Sequence, residues 1–165
     1  MYSELEQYFE SLATNHKSIN HTPTSKHFFR IDAEEVLIKI TTEVNYPFLS
    51  LERAEYTLNG PHSDNVGQIR TIGLMYVDKF TEDDYDRINA IYDEAEIIAR
   101  DIVNRLWYDL ENRTEPSLLR GFNFNTVNVQ HLPQHPTDHT TGVRITFTLD
   151  SKYNRAIDLT KWKDL

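Results

Sequence analysis

The stretch that decides the fold is TEDDYDRINAIYDEAEIIARDIVNRLWYDLE, residues 81–111. Its apolar positions are Ile88, Ile91, Tyr92, Ala95, Ile98, Ala99, Ile102, Val103, Leu106, Trp107 and Leu110. They recur in steps of three and one, the spacing of one face of an α-helix. Thr81 is placed to cap that helix, and Glu82, Asp83 and Asp84 then fall where the helix dipole favours negative charge. Pro116, in ENRTEPS, forbids continuation. A helix from Glu82 to Glu111 would run roughly 45 Å and needs a sheet to cover.

Strands flank it on both sides. Phe48 to Leu58 reads as a strand, NGPHSDNVG as a reversal, and Gln68 to Asp78 as a second strand of roughly 35 Å. Beyond the helix, Phe122 to Gln130 and Gly142 to Asp150 form another pair. In the last of these Val143, Ile145, Phe147 and Leu149 alternate with Arg144, Thr146 and Thr148, the pattern of a half-buried strand. HLPQHPTDHTT would join that pair as a long hairpin loop. The expected fold is α+β: a four-stranded, mainly antiparallel sheet of two long hairpins against one long helix, preceded by an N-terminal helical segment.

The ends are simpler. Tyr2 to Ala13 predicts a short helix with Leu5, Tyr8, Phe9 and Leu12 on one face. Asp32 and Glu35 have the form of a capping box, which starts a helix from Ala33 to about Thr42, although VLIKITTEV also suits a strand. The expected organisation is a single domain over 1–165: a helix and linker over 1–27, an α+β core over 28–150 and a tail over 151–165. In the tail Ile157, Leu159, Trp162 and Leu165 are isolated apolar anchors.

Composition narrows the function classes. With 39% hydrophobic and 26% charged residues the chain belongs with folded globular proteins. The formal net charge of −9 argues against a broad grip on phosphate backbones. There is no cysteine, so disulfides and thiolate metal sites are excluded. The acidic N-terminus reads as neither a signal nor a transit peptide, and no stretch approaches a membrane span. The expected setting is the cytoplasm, or a particle assembled there.

Few residues point to chemistry. His131, His135 and His139 are evenly spaced, but Pro133 and Pro136 exclude a helix that would align them. Only a tightly folded loop would bring three nitrogens to one metal. His16, His21, His27 and His62 fall in loops or just before a strand and read as solvated. Glu34 with Glu35, and Asp83 with Asp84 and Asp86, read as first-turn helix carboxylates. Arg100, Arg105, Arg113 and Arg120 interleave with Asp101, Asp109 and Glu111 as a solvated mixed-charge face. Trp107 reads as part of the core seam. No nucleophile elbow, phosphate-binding loop, dinucleotide fingerprint or zinc-protease motif occurs. The expectation is a non-enzyme with no cofactor and no metal.

The order of elements resembles a known group. PFLSLERAEYTLNG with VGQIRTIGLMYVDKF, then TEDDYDRINAIYDEAEIIARDIVNRL, then GFNFNTVNVQ with GVRITFTL, looks like the tail-terminator and neck proteins of tailed bacteriophages. The tail-completion proteins of contractile injection machines are similar. The resemblance spans about Phe28 to Leu149, and the segment Asp32 to Val44 departs from the simplest members. It implies a ring, usually hexameric, that joins tail-tube and neck or connector proteins in a virion, with DNA only as transiting cargo and no membrane. The contact residues proposed are Trp162 and Leu165 of the tail, and Ile72, Tyr76 and Phe124 of the hairpins; Trp162, a lone aromatic between Lys161 and Lys163, reads equally as an anchor in a neighbouring subunit or as docking on its own domain. Two alternatives stand beside it: a metal-dependent or small-ligand enzyme using the His131/His135/His139 loop, and a generic protein–protein adaptor.

Overall fold

A computed structural model describes residues 2–30, 45–60, 66–113, 117–135, 137–153 and 159–161. The expected early helix at Ala33 to Thr42 lies outside these residues, as do Glu34, Glu35 and His62. The described chain is α+β, with two helices and a mixed sheet of six strands.

Helix α1 spans Tyr2–Asn15 and α2 spans Tyr85–Glu111. The strands are β1 (Phe28–Arg30), β2 (Phe48–Leu51), β3 (Glu55–Asn59), β4 (Gly67–Lys79), β5 (Phe122–His135) and β6 (Thr140–Lys152). Their order across the sheet is β1-β2-β4-β6-β5, and β3 also lies against β4. The β1–β2 pair is parallel and every other pair is antiparallel. β2 takes the Leu74–Val77 half of one edge of β4, and β3 takes the Gly67–Thr71 half.

Three expectations need correction. The sheet has six strands and not four, and it is mixed. The run read as one strand, Phe48 to Leu58, is two strands with opposite surroundings. All four residues of β2 are buried and all five of β3 are exposed. Residues Glu52 to Ala54 separate them. β1 is only three residues long, too short for a periodic signal.

The second hairpin is also longer than expected. β5 runs to His135 and β6 begins at Thr140, so most of the supposed loop is strand. Pro133 is tolerated because β5 is an edge strand and needs no donor on its outer side. The pairing register shifts between Leu132 and His135, around that proline. His139 closes the turn in the left-handed region (φ 48°), where His is among the more tolerant side chains.

The long helix starts later than Thr81. Asp83 adopts φ 63°, and the Asp84 side chain accepts the Arg87 backbone N–H at 2.9 Å as the N-cap. Both Thr81 and Asp84 are chemically able to cap, so the tertiary path makes the choice. At 27 residues α2 is about 40 Å long.

Both helices lie on one face of the sheet. The core joins Leu5, Phe9 and Leu12 of α1, the Ala95-to-Leu106 stripe of α2, Ile72, Leu74 and Tyr76 of β4, and Val143 to Leu149 of β6. Burying each such side chain contributes about 1.5–3 kcal/mol. On the opposite face Phe48, Met75 and Val77 form a second, smaller cluster with Phe29, Tyr46 and Leu132 at its margin.

Buried carboxylates hold the layers in register. Asp109, expected on a solvated face, is 3% exposed. It accepts a hydrogen bond from Tyr8 Oη of α1 at 2.8 Å, and its two oxygens share the Arg105 Nε–H at 2.9 Å each. Asp78 at the far end of β4 accepts from the Lys79 backbone N–H and from Arg87. His21, expected to be solvated, is buried: its Nδ1 accepts the backbone N–H groups of His27 (2.9 Å) and Phe28 (3.1 Å) and so ties the linker to β1. Its proton then sits on Nε2, 3.5 Å from Glu10 Oε1. His27 is held too, by the Pro47 carbonyl at 2.6 Å and Ser25 Oγ at 3.0 Å, and His16 sits 3.4 Å from Asp101.

Candidate functional site

The residues expected at contacts are scattered. Ile72 and Tyr76 lie in the core, 0% and 2% exposed, because the even positions of this part of β4 point at the helices. They are not surface residues of this fold. Burial also raises the Tyr76 pKa. Trp162 and Leu165 lie outside the described residues. Phe124 is a surface residue, 56% exposed.

Beside Phe124 stands Trp107, which the periodicity had placed in the core seam. It is 47% exposed. Its ring meets Phe124 edge-on at 5.7 Å, and its Nε1–H donates to Glu111 at 2.8 Å. The stripe of α2 is already filled by Leu106 and Val103, and Trp107 falls about 100° round the helix from Leu106, beyond Val103. Its position at the margin of the stripe was the signal that could have found it.

A groove of about 370 Å³ opens next to this pair, between α2 and β5. Ala99, Val103 and Val127 line it together with Phe124 and Val129. Small Ala99 leaves room on the helix side, and edge strand β5 has no neighbour beyond it among the described residues. Polar residues ring the groove: Arg100, Asn104, and a His131–Glu96 pair at 2.7 Å. The His131 ring is fixed by stacking on Tyr92 at 4.5 Å. Tyr92 is itself anchored, since its hydroxyl donates to the Leu132 carbonyl at 3.1 Å and lies 2.9 Å from Thr141 Oγ1.

A second exposed apolar feature lies across the sheet. Tyr56 and Leu58 of β3 are 58% and 49% exposed. They pair with Arg70 and Gln68 of β4. The strand alternation puts all four on the helix side of the sheet, past the reach of the helices. The Arg70 guanidinium sits 5.7 Å from the centre of the Tyr56 ring. Strands β4 and β6 separate this arm from the β5 groove.

The histidines of the second hairpin do not converge. His131 pairs with Glu96, His135 with Asp138 at 3.1 Å, and His139 packs on Phe80. Among the described residues, no three His, Asp or Glu side chains are grouped to hold a metal ion. Asp84 and Asp86 serve the start of α2, as their positions suggest. Among the described residues, no helix is long and apolar enough to cross a membrane.

No family model matches this chain, and a search of curated proteins finds no similar one.

Proposed function

We propose that this chain is a structural subunit of a phage or phage-like particle, forming a ring at the tail or neck by subunit–subunit contacts and without catalysis. One observation carries the reading. The sheet outgrows its helical cover, and among the described residues two exposed surfaces with large apolar side chains, the β3 arm and the Trp107–Phe124 corner, lie on opposite sides of strands β4 and β6.

Large exposed aromatics with polar rims mark places where another protein docks. Two different surfaces on one subunit suit a head-to-tail contact, which closes into a ring when the rotation permits. The net charge of −9 suits a channel that DNA crosses without sticking.

Electron microscopy and native mass spectrometry of the purified chain, alone and mixed with tail tubes, test the proposal. Closed rings, or discs seated on tube ends, are the expected result. A chain that stays monomeric and ignores tubes would refute it.

A further inference from the structure

We infer that the β3 arm of one copy docks its Tyr56 and Leu58 side chains into the α2–β5 groove of the next copy. This rests on the assembly reading above and names the contact that would build it.

The arm and the groove match in chemistry. Tyr56 and Leu58 are two adjacent exposed apolar side chains on one face of a short strand. The groove offers Phe124 and Val129 as partly exposed walls and Val103 and Ala99 beneath them. Aromatic and aliphatic anchors in such clefts supply most of the energy of protein contacts. Within one subunit the two never meet, because β4 and β6 lie between them. Among the described residues nothing in the same subunit covers the arm, which leaves it open to another molecule.

Charge selects a second copy as that molecule. A subunit with net charge −9 repels its own kind, so a self-contact needs a local pair of opposite sign. Each feature supplies one. Glu55 stands at the start of β3, and Arg100 stands on the rim of the groove. Both are exposed, and neither has a partner among the described residues. Glu55 points to the other face of the strand from Tyr56. The pair would therefore form at the edge of the contact, where charges steer encounter and fix orientation.

The chain has no native cysteine, so disulfide trapping reads the contact directly. The variant carrying both Leu58→Cys and Val129→Cys is expected to give a ladder of linked multimers on oxidation. Each single variant is expected to give nothing beyond a dimer. Both positions are exposed, and circular dichroism would verify folding. Glu55→Arg and Arg100→Glu are each expected to weaken association about threefold or more, and the double reversal to restore it. A two-fold contact would instead appear as an efficient dimer from Leu58→Cys alone and would overturn the docking. Rings seen by microscopy without any ladder would also overturn it while leaving the assembly reading intact. A ladder without rings would uphold the docking and remove the ring. No association of any kind would remove both.

Discussion

Glu52 and Arg144 grip each other in a two-pronged ion pair on the sheet face away from the helices. Arg144 Nε and Nη2 donate to the two Glu52 carboxylate oxygens, each at 2.6 Å. Glu52 follows directly on β2, at the point where β2 ends and the chain turns toward β3. The pairing raises the Arg144 pKa through its hydrogen bond to Glu52. Gly73 makes the space: a Cβ there would stand 2.2 Å from Glu52 Oε2. Arg144→Met is expected to destabilise the fold by about 2 kcal/mol, since it removes two charge-assisted hydrogen bonds from a nearly buried carboxylate. Gly73→Ala is expected to cost about 1–3 kcal/mol by displacing that carboxylate. Urea titrations of the two variants measure both effects, and wild-type midpoints would refute the pairing.

The Tyr8–Asp109 bond ties the N-terminal helix to the last turns of α2. Asp109→Ala is expected to cost about 2 kcal/mol and Tyr8→Phe about 1 kcal/mol. The double variant should cost less than the sum, because both changes remove one bond. Additive losses in chemical denaturation would show that the two groups act independently.

Asp78 gives a pH signature. Burial raises its pKa above the usual carboxylate value, and the Lys79 N–H and Arg87 only partly offset that. A raised carboxyl pKa means the folded state holds its proton longer than the unfolded chain does. Stability from this group is present at low pH and falls as pH rises from about 3.8 through the folded pKa. Asp78→Asn should therefore gain stability relative to wild type as pH rises through that window. Denaturation midpoints across the acid range test it, and a constant difference between the two proteins would contradict it. Arg87, Glu94, Tyr76 and Tyr46 also interact electrostatically with Asp78.

Tyr46 carries a buried hydroxyl that has no hydrogen-bond partner among the described residues. Burial, with Asp138 and Asp78 nearby, pushes its pKa up to about 12. Its ring packs edge-on against Phe48 at 5.2 Å and under Lys79 Nζ at 4.5 Å. Tyr46→Phe keeps those ring contacts and removes the unsatisfied group. It should be neutral or stabilising by up to about 1 kcal/mol. A clear loss on thermal unfolding would mean that the hydroxyl is bonded after all.

The long helix, the first helix and the alternation of β6 were legible in the sequence. Each is a run of local periodicity, and the apolar face that each needs is written into its own spacing. Ile88 through Leu106 and Val143 through Leu149 are buried as that spacing requires. Chain composition likewise bounded the chemistry, with no cysteine and few glycines. Only the tertiary structure could split Phe48 to Leu58 into a buried and an exposed strand, because the same β-prone residues serve both surroundings. Only it could bury Asp109 and His21, whose partners Tyr8 and Phe28 lie elsewhere in the chain. It also moved Ile72 and Tyr76 into the core and turned Trp107 outward beside Phe124. Spacing tells which residues share a face of one element. Whether that face meets protein or water depends on what a distant part of the chain brings to it.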